Sequence, residues 1–116
     1  YAYNNMGLAY FKMGDSKKAI QNYETALRLS RSYAAVYLNL ARLYEEKGNF
    51  KEAEANYGEA ILYRPKDPAG HMGLAKLFIK QGKTKEAKDS LITVIKDDPR
   101  GIEGREARKL LAELQK

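Results

Sequence analysis

The same residue types return every 34 positions along this chain, and that interval restricts the fold more than any other property of the sequence. Gly14, Gly48 and Gly82 form one series, and Ala19, Ala53 and Ala87 a second. Tyr10, Tyr44 and Phe78 keep an aromatic in register, while Gly7, Ala41 and Ala75 keep a small residue. Further sets are Tyr3, Tyr37 and His71; Tyr23, Tyr57 and Leu91; Ala26, Ala60 and Val94; and Arg31, Pro65 and Pro99. A unit of this length cannot bury an apolar face alone, so the copies must stack on one another.

Within each unit the spacing predicts two helices. Over residues 34–47 the apolar positions Val36, Tyr37, Leu40, Ala41, Leu43 and Tyr44 follow one helical face, and Gly48 supplies the left-handed residue that ends a helix cheaply. Asn49 then offers an N-cap oxygen, with Glu52 completing a capping-box pattern before Ala53, Tyr57, Ala60 and Ile61 carry the next stripe. Pro65 stops that helix, because proline cannot donate the next hydrogen bond and restricts its predecessor. Asp67 and Pro68 restart one, with an acceptor at the cap and a proline in the first turn, where its missing N–H is harmless. The small residues let paired helices approach, and the periodic aromatics fill the space beside them as core.

Composition narrows the class. With 44% hydrophobic and 31% charged residues the chain is neither disordered nor collagen-like. No apolar run approaches the roughly 18 residues of a membrane span, and nothing resembles a signal peptide. The absence of cysteine removes disulfides, thiol nucleophiles and cysteine-based metal sites without identifying a compartment. A net charge of +6 permits an anionic partner.

A 34-residue helix–turn–helix unit with these landmarks resembles the tetratricopeptide repeat. The resemblance covers residues 1 to about 101 and implies an all-α, right-handed α-solenoid of three repeats, at 1–33, 34–67 and 68–101. The family's large aromatic falls on Tyr3 and Tyr37, its Leu-Gly pair on Met6-Gly7, Leu40-Ala41 and Leu74-Ala75, and its closing proline on Pro65 and Pro99. Arg31 stands in for the first closing proline, and Leu91 with Val94 replace the third unit's aromatic and small residue. Residues 102–116 lack second-helix landmarks. With Ile102, Ala107, Leu110, Leu111 and Leu114 on one face they read as a capping helix that closes the stack. The opposite end has no such device: the chain starts at Tyr1, inside a helical pattern and without methionine. It therefore reads as part of something longer, with upstream repeats removed or with this end pairing to another copy.

The resemblance further implies a concave face lined by first helices, against which partners lie as extended peptides. Its positions fall on Asn4, Asn5, Leu8, Phe11 and Lys12 in repeat one; on Leu38, Asn39, Arg42, Glu45 and Glu46 in repeat two; and on Ala69, Met72, Gly73, Lys76, Ile79 and Lys80 in repeat three. Receptors for heat-shock chaperone tails clamp a terminal carboxylate with lysine, asparagine and arginine at five such positions. Here those positions hold Asn4, Leu8, Asn39, Ala69 and Gly73, which leaves no cation for the carboxylate. Asn5 and Asn39, one repeat apart, instead look like rungs of an asparagine ladder that holds a partner's backbone, an amide being both donor and acceptor. Leu8, Phe11, Leu38, Met72 and Ile79 would add apolar contact.

The expected function is thus a non-catalytic protein–protein interaction scaffold that needs no cofactor or metal. Two alternatives stand beside it: RNA or another polyanion on the basic third repeat, where residues 68–116 carry net charge +4, and self-association through the uncapped first repeat. Against the first, Glu86 and Asp89 interleave with Lys83, Lys85 and Lys88. The single histidine, His71, occupies a core aromatic slot with no second histidine or cysteine to assist it. Gly70 and Gly73 lie inside a predicted helix and form no phosphate loop.

Overall fold

In a computed structural model of the chain, residues 2–116 are described; Tyr1, where the first repeat was expected to begin, lies outside them. The described residues form seven helices and no strand: α1 (Ala2–Lys12), α2 (Ser16–Leu29), α3 (Ala34–Glu46), α4 (Phe50–Tyr63), α5 (Pro68–Lys80), α6 (Thr84–Asp97) and α7 (Ile102–Leu114). They gather into two compact units, one ending at Tyr63 and holding α1–α4, the other Arg64–Lys116 and holding α5–α7.

The glycine series does what its spacing requires. Gly14, Gly48 and Gly82 have φ of +84°, +80° and +73°, a left-handed conformation that side chains with a Cβ rarely adopt. Each lets the following residue's N–H reach back to the aromatic landmark: Asp15 to Tyr10, Asn49 to Tyr44 and Lys83 to Phe78, at 2.9, 2.8 and 2.8 Å. The next helix starts at once, the N–H groups of Ala19, Ala53 and Ala87 donating to the carbonyls of those same three residues at 3.0 Å. The Asp15 side chain also accepts from the Lys18 N–H at 3.1 Å, and Asp67 caps α5 by accepting from Ala69 at 3.0 Å.

Helix pairs close on the small residues. A Cβ on Gly7 would stand 2.6 Å from Cε1 of Tyr23, so this tyrosine packs directly onto the α1 backbone. Ala41 and Ala75, the equivalents of Gly7, are fully buried, as are Ala19, Ala53 and Ala87 on the second helices. In the first unit the core gathers Ala19, Tyr23, Ala26, Val36, Leu40 and Leu43; in the second it gathers Met72, Ala75, Leu91, Val94 and Ala107. Burial of each large apolar side chain stabilises by about 1.5–3 kcal/mol.

Where Arg31 replaces the closing proline, a side chain performs the closure. The Tyr37 hydroxyl, from α3, donates to the Arg31 carbonyl at 3.0 Å, and the Tyr37 ring stacks on Tyr63 with centroids 5.7 Å apart. All nine tyrosines of the sequence precede Arg64, so the second unit is built without a phenol.

Helix α7 packs on α6 and α5 through Ala107, Leu110, Leu111 and Leu114, as the apolar face required. Ile102 departs from that expectation. As the first residue of α7 it is 82% exposed, because the turn from Pro99 to Gly101 carries it outward before the helix meets α6. Gly104 makes the close approach instead: a Cβ there would clash with the Asp98 carbonyl oxygen. The Arg108 guanidinium anchors the same turn by donating to the Pro99 carbonyl.

Candidate functional site

In the first unit, α1 and α3 are neighbours, and the two asparagine side chains between them touch. Asn39 Nδ2 donates to Asn4 Oδ1 at 2.9 Å in a part-buried contact. The sequence had aligned Asn39 with Asn5, its equivalent one repeat earlier; Asn5 is exposed and takes no part in this bond. The reason is geometric. Residue 4 projects toward the next first helix, and residue 5 is turned roughly 100° further round α1. The pair leaves the Asn4 amino group and the Asn39 carbonyl oxygen able to meet another donor–acceptor group, such as a peptide unit.

Leu8 and Leu38 are half-buried, and Phe11 is half-buried against the core cluster below it. Lys12 and Arg42 are exposed. Beneath this face lie two tyrosines. The Tyr57 hydroxyl donates to Glu45 Oε1 at 2.9 Å, and burial, then the Glu45 charge and this bond, push its ionisation well up, against a smaller opposing effect of Arg42. Tyr23 is also raised by burial and opposed by Arg42, yet its hydroxyl has no hydrogen-bond partner. Comparing Phe11, Glu45 and Ile79 with Tyr23, Tyr57 and Leu91, equivalent positions on the paired helices, would have exposed this difference from sequence alone.

The second unit treats its expected site residues otherwise. Met72 is only 4% exposed and belongs to the core with Ala107 of α7, so it offers no open apolar contact; the expectation that it lines a binding face is corrected by the cap that covers it. Lys76 Nζ pairs with Glu106 Oε1 of α7 at 3.1 Å. Ile79 is half-buried. Lys83 lies 5.9 Å over the Phe78 ring, and His71 is half-buried in its aromatic slot. Among the described residues, no group of three or more His, Cys, Asp or Glu is placed to hold a metal ion, and no helix is long and apolar enough to cross a membrane.

Two features fall outside the expected set. A shallow cleft of about 290 Å³ between α2 and α3 is lined by Glu24, Leu27, Arg28, Arg31 and Tyr37. Along α1, Ala2, Met6 and Ala9 are exposed, Met6 by 44%, whereas their equivalents Val36, Leu40 and Leu43 are buried; Met13, just beyond the helix, is 69% exposed.

Paired helices joined by left-handed glycines, stacked on small residues, define a helical-repeat protein. The chain belongs to the tetratricopeptide repeat family: tetratricopeptide repeat profiles match residues 1–62 and residues 46–114. No curated protein matches it in sequence. Among solved structures, the N-terminal domain of stress-induced protein-1 from C. elegans superposes with a TM-score of 0.86 at 23% identity, covering 99% of this chain and 93% of that one. The first repeat domain of Spaghetti (RPAP3), bound to the HSP90 peptide SRMEEVD, gives a TM-score of 0.84 at 21% identity, covering 98% and 88%. The second domain of human RPAP3, in complex with the HSP70 peptide SGPTIEEVD, gives 0.81 at 24% identity, covering 98% and 92%. At such identities the likeness is one of fold.

Proposed function

We propose that this chain is a protein-interaction module that holds an extended peptide against the α1/α3 face of its first unit. The observation that carries it is the Asn4–Asn39 amide pair, with a donor and an acceptor still unengaged, flanked by the half-buried Leu8 and Leu38. Such a pair reads a peptide backbone irrespective of side chain, and the leucines exclude water from the bond. The fold is one that binds peptides in both RPAP3 domains. The peptide class is expected to differ, because four of the five carboxylate-clamp positions, Asn4, Leu8, Ala69 and Gly73, lack the side chain the clamp needs, and none of the five carries a cation for a C-terminal carboxylate. Binding orders a flexible segment, so affinity is modest.

The test is titration of the chain with peptides from a partner captured by pull-down. Asn4→Ala combined with Asn39→Ala is expected to weaken binding at least about tenfold, two lost hydrogen bonds at a partly desolvated site, while Asn5→Ala changes little. Unchanged affinity in the double variant would defeat the proposal. Association of two copies through α1 is a second reading, favoured by the exposed Ala2, Met6 and Ala9, whose equivalents in α3, Val36, Leu40 and Leu43, are buried. A strict monomer by sedimentation at high concentration removes it.

A further inference from the structure

The second repeat shows how this fold satisfies a buried phenol, and the first repeat leaves the same arrangement incomplete. Tyr23 on α2 and Tyr57 on α4 occupy equivalent positions, 34 residues apart. Tyr57 donates its hydroxyl to the Glu45 carboxylate on α3 at 2.9 Å. The equivalent of Glu45 on α1 is Phe11, which has no acceptor. Tyr23 is fully buried and its hydroxyl is unpaired, an arrangement that native structures seldom tolerate.

The missing acceptor has a defined place. The Tyr23 ring lies across Gly7, its Cε1 2.6 Å from where a Cβ would stand, so the ring is held against α1, and Phe11 follows Gly7 by one helical turn. Phe11 packs on the cluster that contains Tyr23. Arg42 on α3 is exposed, forms no ion pair with another described residue, and acts electrostatically on both Tyr23 and Tyr57. Lys12, also exposed, follows Phe11 in the chain, while Glu45 accepts from the Tyr57 hydroxyl.

We infer that the α1/α3 face contains a carboxylate subsite, in which an acidic side chain of a bound peptide takes the place that Glu45 holds one repeat later. Phe11 swings aside, the carboxylate accepts from the Tyr23 hydroxyl, and the Arg42 guanidinium pairs with it. Repeat two supplies this anion from its own chain, and repeat one takes it from the ligand. The subsite rests on the peptide-binding reading of the same face and adds its selectivity: the peptide carries an internal Asp or Glu. Apart from its neighbourhood to Leu8, it uses none of the five clamp positions.

The test titrates the 116-residue chain with blocked alanine–leucine hexapeptides carrying one Glu at each position in turn, and with the matching Gln set, followed by NMR. The best Glu peptide is expected to bind about tenfold more tightly than its Gln twin, the effect of a charge-assisted bond. Arg42→Gln should abolish that preference. Tyr23→Phe should reduce it about threefold without lowering the melting temperature, since it removes an unpaired buried hydroxyl. Phe11→Glu, which rebuilds the second repeat's arrangement inside the first, should abolish the preference as well. Equal binding of the two sets overturns the subsite while leaving the peptide-binding reading intact; failure of both sets to bind overturns both. A Glu preference that survives Arg42→Gln and Tyr23→Phe also overturns it.

Discussion

The two units use their first helices for opposite ends. In the first, α1 and α3 meet through an amide pair that keeps hydrogen-bonding capacity, with Leu8 and Leu38 only half-buried beside it. In the second, α7 lies where a further first helix would, and spends that surface on closure: Met72 sinks into the core and Lys76 pairs with Glu106. Equivalent positions therefore differ in role through their neighbours as well as through their own chemistry, Met72 and Gly73 standing where the first unit has Asn4 and Asn39. Helix α7 covers the apolar face beside it, and Met72 is thereby withdrawn from the open surface.

Truncating equivalent core leucines should give the largest effects. Leu43 and Leu77 are both fully buried, one in each unit, and either mutation to alanine should cost about 3 kcal/mol by lost burial and cavity formation. Hydrogen exchange should show Leu43→Ala loosening α1–α4 first and Leu77→Ala loosening α5–α7 first; identical exchange patterns would mean that the units unfold as one. Gly7→Ala comes next. It drives a methyl into the Tyr23 ring and should destabilise the first unit by about 2 kcal/mol in denaturant melts, despite alanine's better helix propensity.

Alkaline pH should separate the units as well. Tyr23, Tyr37, Tyr44 and Tyr57 are all raised above the ordinary phenol value of 10.0, chiefly by burial. The folded state keeps these protons longer, so stability is unaffected below that pH and falls above it as the unfolded chain ionises first. For a fully buried phenol the slope approaches about 1.4 kcal/mol per pH unit. Tyr23→Phe with Tyr57→Phe should flatten the pH dependence of melting. The smallest effect belongs to Lys76 and Glu106, each about half exposed: a double-mutant cycle should find a coupling below about 1 kcal/mol that shrinks with salt.

Much of this fold was legible because its signals are short-range. A glycine that must be left-handed, an Asp-Pro start and an alanine at a helix contact act within one turn, so the 34-residue spacing revealed the helix pairs directly. The site was less so. Asn4 and Asn39 meet across two helices, and which of two adjacent asparagines faces the neighbour depends on helix rotation that no local signal encodes. Met72 reads as an apolar face residue until α7 is seen to cover it, and Ile102 reads as cap core until its turn is seen to aim it outward.

The one-sided distribution of tyrosine has an optical consequence. With no tryptophan in the sequence and no tyrosine beyond Tyr63, intrinsic fluorescence and near-ultraviolet dichroism arise almost wholly from the first unit, with the Tyr37–Tyr63 stack as a chiral pair within it. Far-ultraviolet dichroism, by contrast, sums every helix. Monitoring both during one melt asks the molecule whether its two halves come apart together, with no label attached.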